Sequence, residues 1–154
     1  MGLVQSIAGL LSRFSKRNSP SPDGAENTAH ALGRTGERLA ARHLKRNAFR
    51  ILRTNFRHKG SGEVDIVCRD KRSGELVFVE VKTRRSLDYG APSHAVDDAK
   101  RDLIARGALA WLRLLDWPDI RFRFDIVEVV VPHTGKPEIT VVENAFPLPE
   151  RYRI

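Results

Sequence analysis

The sequence predicts an α/β fold in which a mixed central sheet is flanked by helices, with a core in the order α-β-β-β-α-β and one further strand. Three observations lead to this prediction. The apolar-rich runs 63–68 and 76–83 are joined by a polar, glycine-containing turn, which is typical of a β-hairpin. Segments 28–47 and 94–115, on either side of the hairpin, have apolar residues at helical spacing. Residues 121–131 form a further apolar run of strand type.

The length of 154 residues suits one domain with an ordinary hydrophobic core. We place this domain at 28–146, between an N-terminal extension at 1–27 and a C-terminal tail at 147–154. Within the extension, 3–17 has an apolar stripe at helical spacing, which fits a short amphipathic helix that docks on the domain, a membrane surface or a partner, or a segment that frays in solution. Residues 18–27 contain two prolines and an Asp-Gly pair and predict a flexible linker.

The first helix of the domain, at 28–47, has a stripe of small residues that permits close packing. This stripe consists of Gly33, Gly36, Ala40, Ala41, Leu44 and Ala48. Glu37 lies on the same stripe, where a carboxylate is costly unless it is paired or faces a metal. Two interpretations are open. Glu37 either pairs with Arg34 or Arg38 at the helix edge, or leans over the hairpin and completes an acidic catalytic cluster there.

Residues 49–57 predict a strand with basic side chains pointing outward, and 58–62 form the turn that leads into the hairpin. Because side chains alternate between the two faces of a strand, one face of the hairpin is wholly apolar and must meet the core. This face carries Val64, Ile66, Cys68, Val77, Val79 and Val81.

The opposite face of the hairpin carries four charged residues: Glu63, Asp65, Glu80 and Lys82. If the chain reverses midway between residues 72 and 73, Asp65 stands opposite Glu80 and Glu63 stands opposite Lys82. Like charges opposed across two strands are destabilising, so we expect something to compensate for the Asp65 and Glu80 pair. A hard divalent cation, Mg²⁺ or Mn²⁺, does so naturally through one or two carboxylates.

These residues predict metal-assisted hydrolysis of a phosphodiester bond. Asp65 and Glu80 are the candidate metal ligands, helped by the Val81 carbonyl. Lys82 points to the same side and would position the attacking water or balance developing charge. Glu63 either completes the surroundings of the metal or forms an ion pair with Lys82.

The second helix, at 94–115, is expected to begin after Ser93 as its N-cap. Lys100 lies at the border of its buried stripe, where it either approaches the scissile phosphate or extends into water. The strand at 121–131 should follow as a parallel crossover, and 139–142 predicts a short antiparallel strand before an irregular tail.

The charge of the chain is strongly basic, with 27 Lys and Arg against 19 Asp and Glu and a net charge of +8. Nine of the basic residues fall within 34–59, where Glu37 is the single acidic residue. This excess predicts a polyanionic partner, nucleic acid, with a solvated basic face as the alternative. The candidates for nucleic-acid contact are Arg38, Arg42, Lys59, Arg84, Arg85 and Lys100.

Several classes of protein are disfavoured. Cys68 is the single cysteine, which excludes an intramolecular disulfide and fits a buried thiol in a reducing, cytoplasmic compartment. No apolar run approaches the ~20 residues needed to span a bilayer. The five histidines lack the spacing of a zinc site. Asp125 interrupts an apolar strand and is expected to play a structural role, for example by pairing with Arg123.

Four short motifs together resemble the YraN family of small predicted endonucleases. They are GEVDIV at 62–67, VFVEVKTR at 77–84, RFDIV at 123–127 and NAF at 144–146. The resemblance extends over about 33–146 and leaves the N-terminal extension uncovered. It implies a restriction-endonuclease-like core similar in fold to archaeal Holliday-junction resolvases.

The acid, acid and lysine pattern formed by Asp65, Glu80 and Lys82 resembles the active site of this wider superfamily. A helix-borne glutamate, here Glu37, is also typical of the family. The resemblance implies a DNA endonuclease dependent on Mg²⁺ or Mn²⁺, and by analogy a homodimer acting on branched or recombination intermediates. Val64 stands where the superfamily often has a proline, which is not a ligand.

Two other hypotheses stay open. The protein could be a nucleic-acid-binding or adaptor module that retains the nuclease scaffold without significant turnover. The charged hairpin face could also be a purely structural ion-pair patch, in which case no metal would stabilise the protein.

Overall fold

The computed structural model describes residues 28–88 and 96–153. The predicted N-terminal helix at 3–17 and the linker at 18–27 lie outside the described residues. The helices and strands are α1 (Thr28–Arg46), β1 (Phe49–His58), β2 (Gly62–Asp70), β3 (Leu76–Arg84), α2 (Asp98–Leu114), β4 (Phe122–Val130) and β5 (Glu138–Phe146), followed by a 3₁₀ turn at Glu150–Tyr152. The predicted α/β fold and its order of elements are confirmed.

The five strands form one mixed sheet in the order β1-β2-β3-β4-β5. Strands β1, β2 and β3 are successively antiparallel, β3 and β4 are parallel with α2 between them in the chain, and β5 returns antiparallel to β4. The β2–β3 hairpin pairs Ile66 with Val79 and Cys68 with Val77, which is the predicted register. Each edge of the sheet is therefore a strand that is antiparallel to its neighbour.

The sheet separates two hydrophobic cores. On one face, Ala40 and Leu44 of α1 pack in a cluster with Ile66, Cys68 and Val79. The other face is covered by α2. That cluster contains Ile104, Ala108 and Trp111 of the helix together with Phe78 and Phe124 of the sheet. Because the site residues Glu80 and Lys82 alternate with Val79 and Val81, they lie on the α2 side of strand β3.

The prediction that Val64 shares a face with Ile66 and Cys68 is wrong. Val64 belongs to the cluster beneath α2, where its β1 partner Phe56 packs edge-to-face on Trp111 with ring centroids 5.1 Å apart. Asn55, between the paired positions of β1, has a left-handed backbone with φ of 50°. The regular alternation of the two strands therefore breaks at this point.

Helix α2 starts later than predicted. Its first residue is Asp98, and its N-cap is Asp97, whose side chain accepts a hydrogen bond from the Lys100 N–H over 2.8 Å. Ser93, the predicted cap, lies outside the described residues, and Val96 and Asp97 are not helical. Both serine and aspartate are good caps, and the later one begins this helix.

Strand β5 is longer than the predicted segment 139–142, because two contacts hold its second half against β4. The Asn144 N–H donates to Asp125 over 2.9 Å. The ring of Phe146 stacks on Phe124 with centroids 4.9 Å apart. The predicted pairing of Asp125 with Arg123 is confirmed, with Arg123 Nε 2.9 Å from Asp125 Oδ1.

Two close approaches of backbone fix the helices against the strands that carry the site. A Cβ at Gly36 of α1 would collide with the side chain of Thr83 on β3. A Cβ at Gly62 of β2 would collide with the Leu103 carbonyl of α2, and one at Gly107 would come within 2.9 Å of the Glu63 carbonyl carbon. Glycine therefore allows both helices to lie directly on β2 and β3.

Candidate active site

The side chain of Asp65 takes the place of a backbone partner where the pairing of β2 with β3 stops, at the end away from the turn. The paired positions of the two strands run from Arg69 and Leu76 to Ile66 and Val79. Beyond them, the main-chain N–H of Val81 donates to the Asp65 carboxylate, Oδ2, over 2.8 Å. This bond satisfies a strand N–H and fixes the carboxylate at the end of the hairpin.

Glu80 is the buried member of the site, with a residue exposure of 3%. Burial is the main cause that raises the pKa of Glu80 to about 7, and the negative charge of Asp65 raises it further. A direct interaction between the two carboxyl groups also raises the pKa, so Asp65 and Glu80 are neighbours. A protonated or metal-bound Glu80 is the physical consequence of this environment.

Two ammonium groups meet one oxygen of Glu80. Lys82 Nζ lies 3.3 Å from Glu80 Oε1, and Lys100 Nζ of helix α2 lies 3.4 Å from the same atom. The second oxygen, Oε2, is buried and has no hydrogen-bond partner among residues 28–88 and 96–153. Glu80 thus presents one oxygen that is balanced by lysines and one that is available to a further cation.

Glu63 is held by Lys100 and Arg57 rather than by Lys82. Lys100 Nζ donates to Glu63 Oε1 over 2.8 Å, and Arg57 Nε lies 3.4 Å from Glu63 Oε2. The hydrogen bond from Lys100 is the main cause that lowers the pKa of Glu63. The pairing of Glu63 with Lys82 that the sequence left open is therefore wrong, because α2 brings a closer ammonium group to Glu63.

Glu37 reaches the site from α1, on the other side of the sheet. Its carboxyl is half-buried, and burial raises its pKa against the effect of a hydrogen bond with the Asn55 side chain. The charge of Asp65 raises the pKa of Glu37 further, which places the two carboxyl groups within electrostatic reach. Arg34, the alternative partner that the sequence offered, lowers the pKa of Glu37 through its charge, and this effect is smaller than the other causes.

The donor set fits a hard divalent cation held by two carboxylates. In residues 28–88 and 96–153, no three His, Cys, Asp or Glu side chains converge on one metal-sized position. Glu63 and Glu37 are held by other partners, which leaves Asp65 and Glu80 together. Mg²⁺ commonly binds proteins through one or two carboxylates plus water and phosphate oxygens, and the unpartnered Oε2 of Glu80 is an oxygen of the required kind.

Comparison with known proteins identifies the family. The chain matches the model of Uncharacterised protein family UPF0102 over residues 36–129. A UPF0102 protein of Trichlorobacter lovleyi is 47% identical over 118 residues, which are 77% of this chain and 91% of that protein. One of Geobacter sulfurreducens is 47% identical over 117 residues, 76% of this chain and 89% of that protein. The chain belongs to the UPF0102 family.

A UPF0102 relative from Acetivibrio thermocellus is 42% identical over 127 residues, which cover 80% of this chain and 96% of the relative. The resemblance to the YraN family predicted from the short motifs is confirmed, since YraN proteins are the UPF0102 family. The family match includes all four carboxylates of the site as well as Lys82 and Lys100. Neither described helix is long and apolar enough to cross a membrane.

The residues predicted to contact nucleic acid occupy four kinds of position in this UPF0102 protein. Arg38 and Arg42 on α1 and Lys59 in the turn after β1 are exposed to solvent. Arg84 instead has a side-chain exposure of 15%, with its Nε 3.3 Å from Oε2 of the buried Glu128. Arg85 donates to a strand-end carbonyl, that of Val131, over 3.3 Å. Lys100 lies within the acidic group itself.

Sequence reasoning missed four residues beside the site. Arg34, Arg53 and Arg57 line an open cleft together with Glu37 and Asn55. The three arginines belong to the basic segment 34–59, but only the packing of α1 against the edge strand β1 brings them together in one cleft. Asn55 had one weak signal, since asparagine is among the few residues that tolerate a left-handed backbone.

Proposed function

We propose that this protein is a cytoplasmic, metal-dependent endonuclease that hydrolyses phosphodiester bonds in DNA, including branched or recombination intermediates. The observation that carries the proposal is the adjacency of Asp65 to the buried Glu80, with lysine ammonium groups on one side of Glu80 only. Two neighbouring carboxylates in a partly apolar setting favour either a shared proton or a divalent cation.

Asp65 and Glu80 would hold Mg²⁺ or Mn²⁺, with the Val81 carbonyl as a further ligand. Such an ion supplies Lewis-acid polarisation of the phosphate and lowers the pKa of bound water. The protein supplies positioning. The Val81 N–H fixes Asp65 over 2.8 Å, and the strand pairing of β3 fixes Glu80 and Lys82 on one side of the sheet.

Lys82 would orient the attacking water and balance charge on the phosphate as the bond breaks. Its side chain is 28% exposed, so Nζ contacts Glu80 yet stays accessible to a substrate. Lys100 is the second ammonium group at Glu80, and its bond to Glu63 keeps it close to the site. Glu63 is therefore a positioning residue for Lys100, and Glu37 a carboxylate beside Asp65 that can accept a proton at its raised pKa.

A second function is a nucleic-acid-binding or adaptor module without significant turnover. It is favoured by the same two lysines, because Lys82 and Lys100 already balance the charge of Glu80 without a metal. The two functions differ in their prediction for cleavage and agree in their prediction for salt-sensitive binding to nucleic acid.

The test is a panel of linear duplex, single-stranded and branched DNA and single-stranded RNA, each incubated with Mg²⁺, Mn²⁺ or EDTA. We expect metal-dependent cleavage of DNA that falls roughly 10²-fold or more in Asp65→Asn and in Lys82→Met. Asp98→Asn is the matched control, since this side chain is 97% exposed on α2.

Cleavage that persists unchanged in Asp65→Asn would exclude the proposed site. Binding without cleavage of any member of the panel would favour the adaptor function. Sedimentation of the protein with and without branched DNA tests the homodimer proposed by analogy with resolvases.

A further inference from the structure

An open cleft lies between helix α1 and the edge strand β1, with a volume of about 650 Å³. We call it the α1–β1 cleft. Its lining consists of Ala29, His30, Gly33, Arg34 and Glu37 of α1 and Arg53, Asn55 and Arg57 of β1. Its volume is within the ~300–1,000 Å³ of typical ligand sites.

The charge of the α1–β1 cleft is positive. Three arginines, Arg34, Arg53 and Arg57, line the cleft, and Glu37 is the one acidic residue in its lining. Arg57 has a side-chain exposure of 76%, so its guanidinium is open to a ligand while it pairs with Glu63. Arginine forms paired hydrogen bonds with phosphate oxygens, which makes a phosphodiester backbone the best chemical match.

The inner end of the α1–β1 cleft adjoins the candidate active site. Asn55 hydrogen-bonds to Glu37, and the charge of Asp65 acts on that same carboxyl. Arg57 contacts Glu63, which Lys100 links to Glu80. A strand lying in the cleft would therefore run alongside Glu37 and Arg57, the two lining residues that connect the cleft to Asp65 and to the Glu63, Lys100 and Glu80 group.

The side chains that line the α1–β1 cleft favour contact with the sugar-phosphate backbone of a nucleic acid over contact with its bases. Among the described residues that line the α1–β1 cleft, none is Phe, Tyr or Trp, and His30 is the one ring on which an unpaired base could stack. Contacts to phosphates position a strand without reading its sequence. A ligand in this cleft would therefore be recognised through its charge and the path of its backbone.

We propose that the α1–β1 cleft binds the sugar-phosphate backbone of the strand to be cut, independently of its sequence. The inference rests on the proposed endonuclease function and adds the route by which a strand reaches Asp65 and Glu80. It assigns substrate contact to Arg34, Arg53 and Arg57, and not to the outward-facing Arg38 and Arg42 of the same helix.

The experiment measures binding by fluorescence anisotropy in EDTA, so that no cleavage occurs. The probes are two fluorescein-labelled 12-nucleotide single strands of unrelated sequence, each titrated at several salt concentrations. The cleft variant is Arg34→Gln/Arg53→Gln. The control is Lys45→Gln/Arg46→Gln, which removes the same charge from exposed positions in the last turn of α1.

We expect the cleft variant to bind both probes at least tenfold more weakly than wild type. The slope of log affinity against log salt should fall by about 1.4, because each lost phosphate contact on a single strand removes about 0.7. The control should stay within about twofold of wild type. Because Arg53 is partly buried, Arg34→Gln alone is measured too, and it should lose affinity more than Lys45→Gln alone.

Equal losses in the cleft variant and the control would overturn the proposal, since they would show only a general effect of charge. A marked preference for one of the two probe sequences, or no binding of either probe by wild type, would also overturn it. A cleft variant that binds weakly while wild type cuts nothing would support the cleft and contradict the endonuclease function. The two proposals can therefore fail separately.

Discussion

The main-chain N–H of Val81 donates a 2.8 Å hydrogen bond to Asp65 Oδ2, at the position where strands β2 and β3 stop pairing. A carboxylate thus takes over the partner that a neighbouring strand would supply. Its other oxygen, and the adjacent carboxyl of Glu80, are left at the end of the hairpin. The same local break that ends the pairing also brings these two carboxyl groups together.

Glu80→Gln should change how stability depends on pH. The pKa of Glu80 is raised from 4.5 to about 7, so the folded protein holds this proton more tightly than the unfolded chain. Its contribution to stability is fully present below about pH 4.5 and is lost as the pH rises through about 7. In EDTA, the free energy of unfolding of wild type relative to Glu80→Gln should fall by up to about 3 kcal/mol between pH 4 and 8.

Urea denaturation of both proteins across this pH range measures the difference. Other carboxyl groups with lowered pKa values, such as Glu63 and Glu75, titrate in both proteins and cancel in the comparison. A difference that is constant with pH would contradict the assigned environment of Glu80. Excess Mg²⁺ should reduce the loss at pH 8, since it binds the ionised form.

The register of the hairpin could be predicted from the sequence because it is determined locally. The alternation of apolar and charged residues has a period of two, so a one-residue slip would expose the core face. A polar turn between the two runs then leaves one pairing of Ile66 with Val79. Beyond this pair the two strands stop pairing, and the hydrogen bond from the Val81 N–H holds the Asp65 carboxylate beside Glu80.

The remainder of the site depends on tertiary packing that has no local signal. Lys100 meets Glu63, 37 residues earlier in the chain, because Gly62 and Gly107 allow α2 to lie against β2. The face of Val64 could not be predicted either. Val64 pairs with Phe56, next to the left-handed backbone of Asn55, and such a local interruption is invisible to a pattern of simple alternation.

Lys100→Met should tighten the binding of Mn²⁺. The Lys100 ammonium lies 3.4 Å from Glu80 Oε1, and a positive charge at this distance opposes a divalent cation on the same carboxylate. We expect the dissociation constant for Mn²⁺ to fall roughly tenfold or more, measured by calorimetry. Lys45→Met, on an exposed position of α1, should leave it unchanged. Weaker binding in Lys100→Met would mean that Lys100 holds Glu80 in its binding geometry.

Two glycines of α1 should respond in opposite directions to alanine. Gly36→Ala places a methyl group against Thr83 and should destabilise the protein by about 1–3 kcal/mol. Gly33→Ala meets nothing within 4 Å and should stabilise it by about 0.5–1 kcal/mol through helix propensity. Denaturant midpoints compare the two directly. Similar effects at both positions would contradict the close packing of α1 on β3.

Arg123→Met should be strongly destabilising. Arg123 bonds to Asp125, Glu75 and Asp70, and Asp125 is fully buried. Removing the guanidinium leaves a buried carboxylate without its cation, at a cost of about 3–5 kcal/mol. Arg121→Met, at an exposed position two residues earlier, should change stability by less than about 0.5 kcal/mol. Unfolding free energies that match within 1 kcal/mol would show that Asp125 does not depend on this pair.

The location of a bound ion tests the central claim most directly. Crystals of the protein grown or soaked with Mn²⁺ should show an anomalous scattering peak within about 2–2.5 Å of one oxygen of Asp65 and one of Glu80. The peak should vanish in crystals of Asp65→Asn treated in the same way. An ordered Mn²⁺ elsewhere, or none at this position at saturating concentration, would contradict a metal centre shared by Asp65 and Glu80.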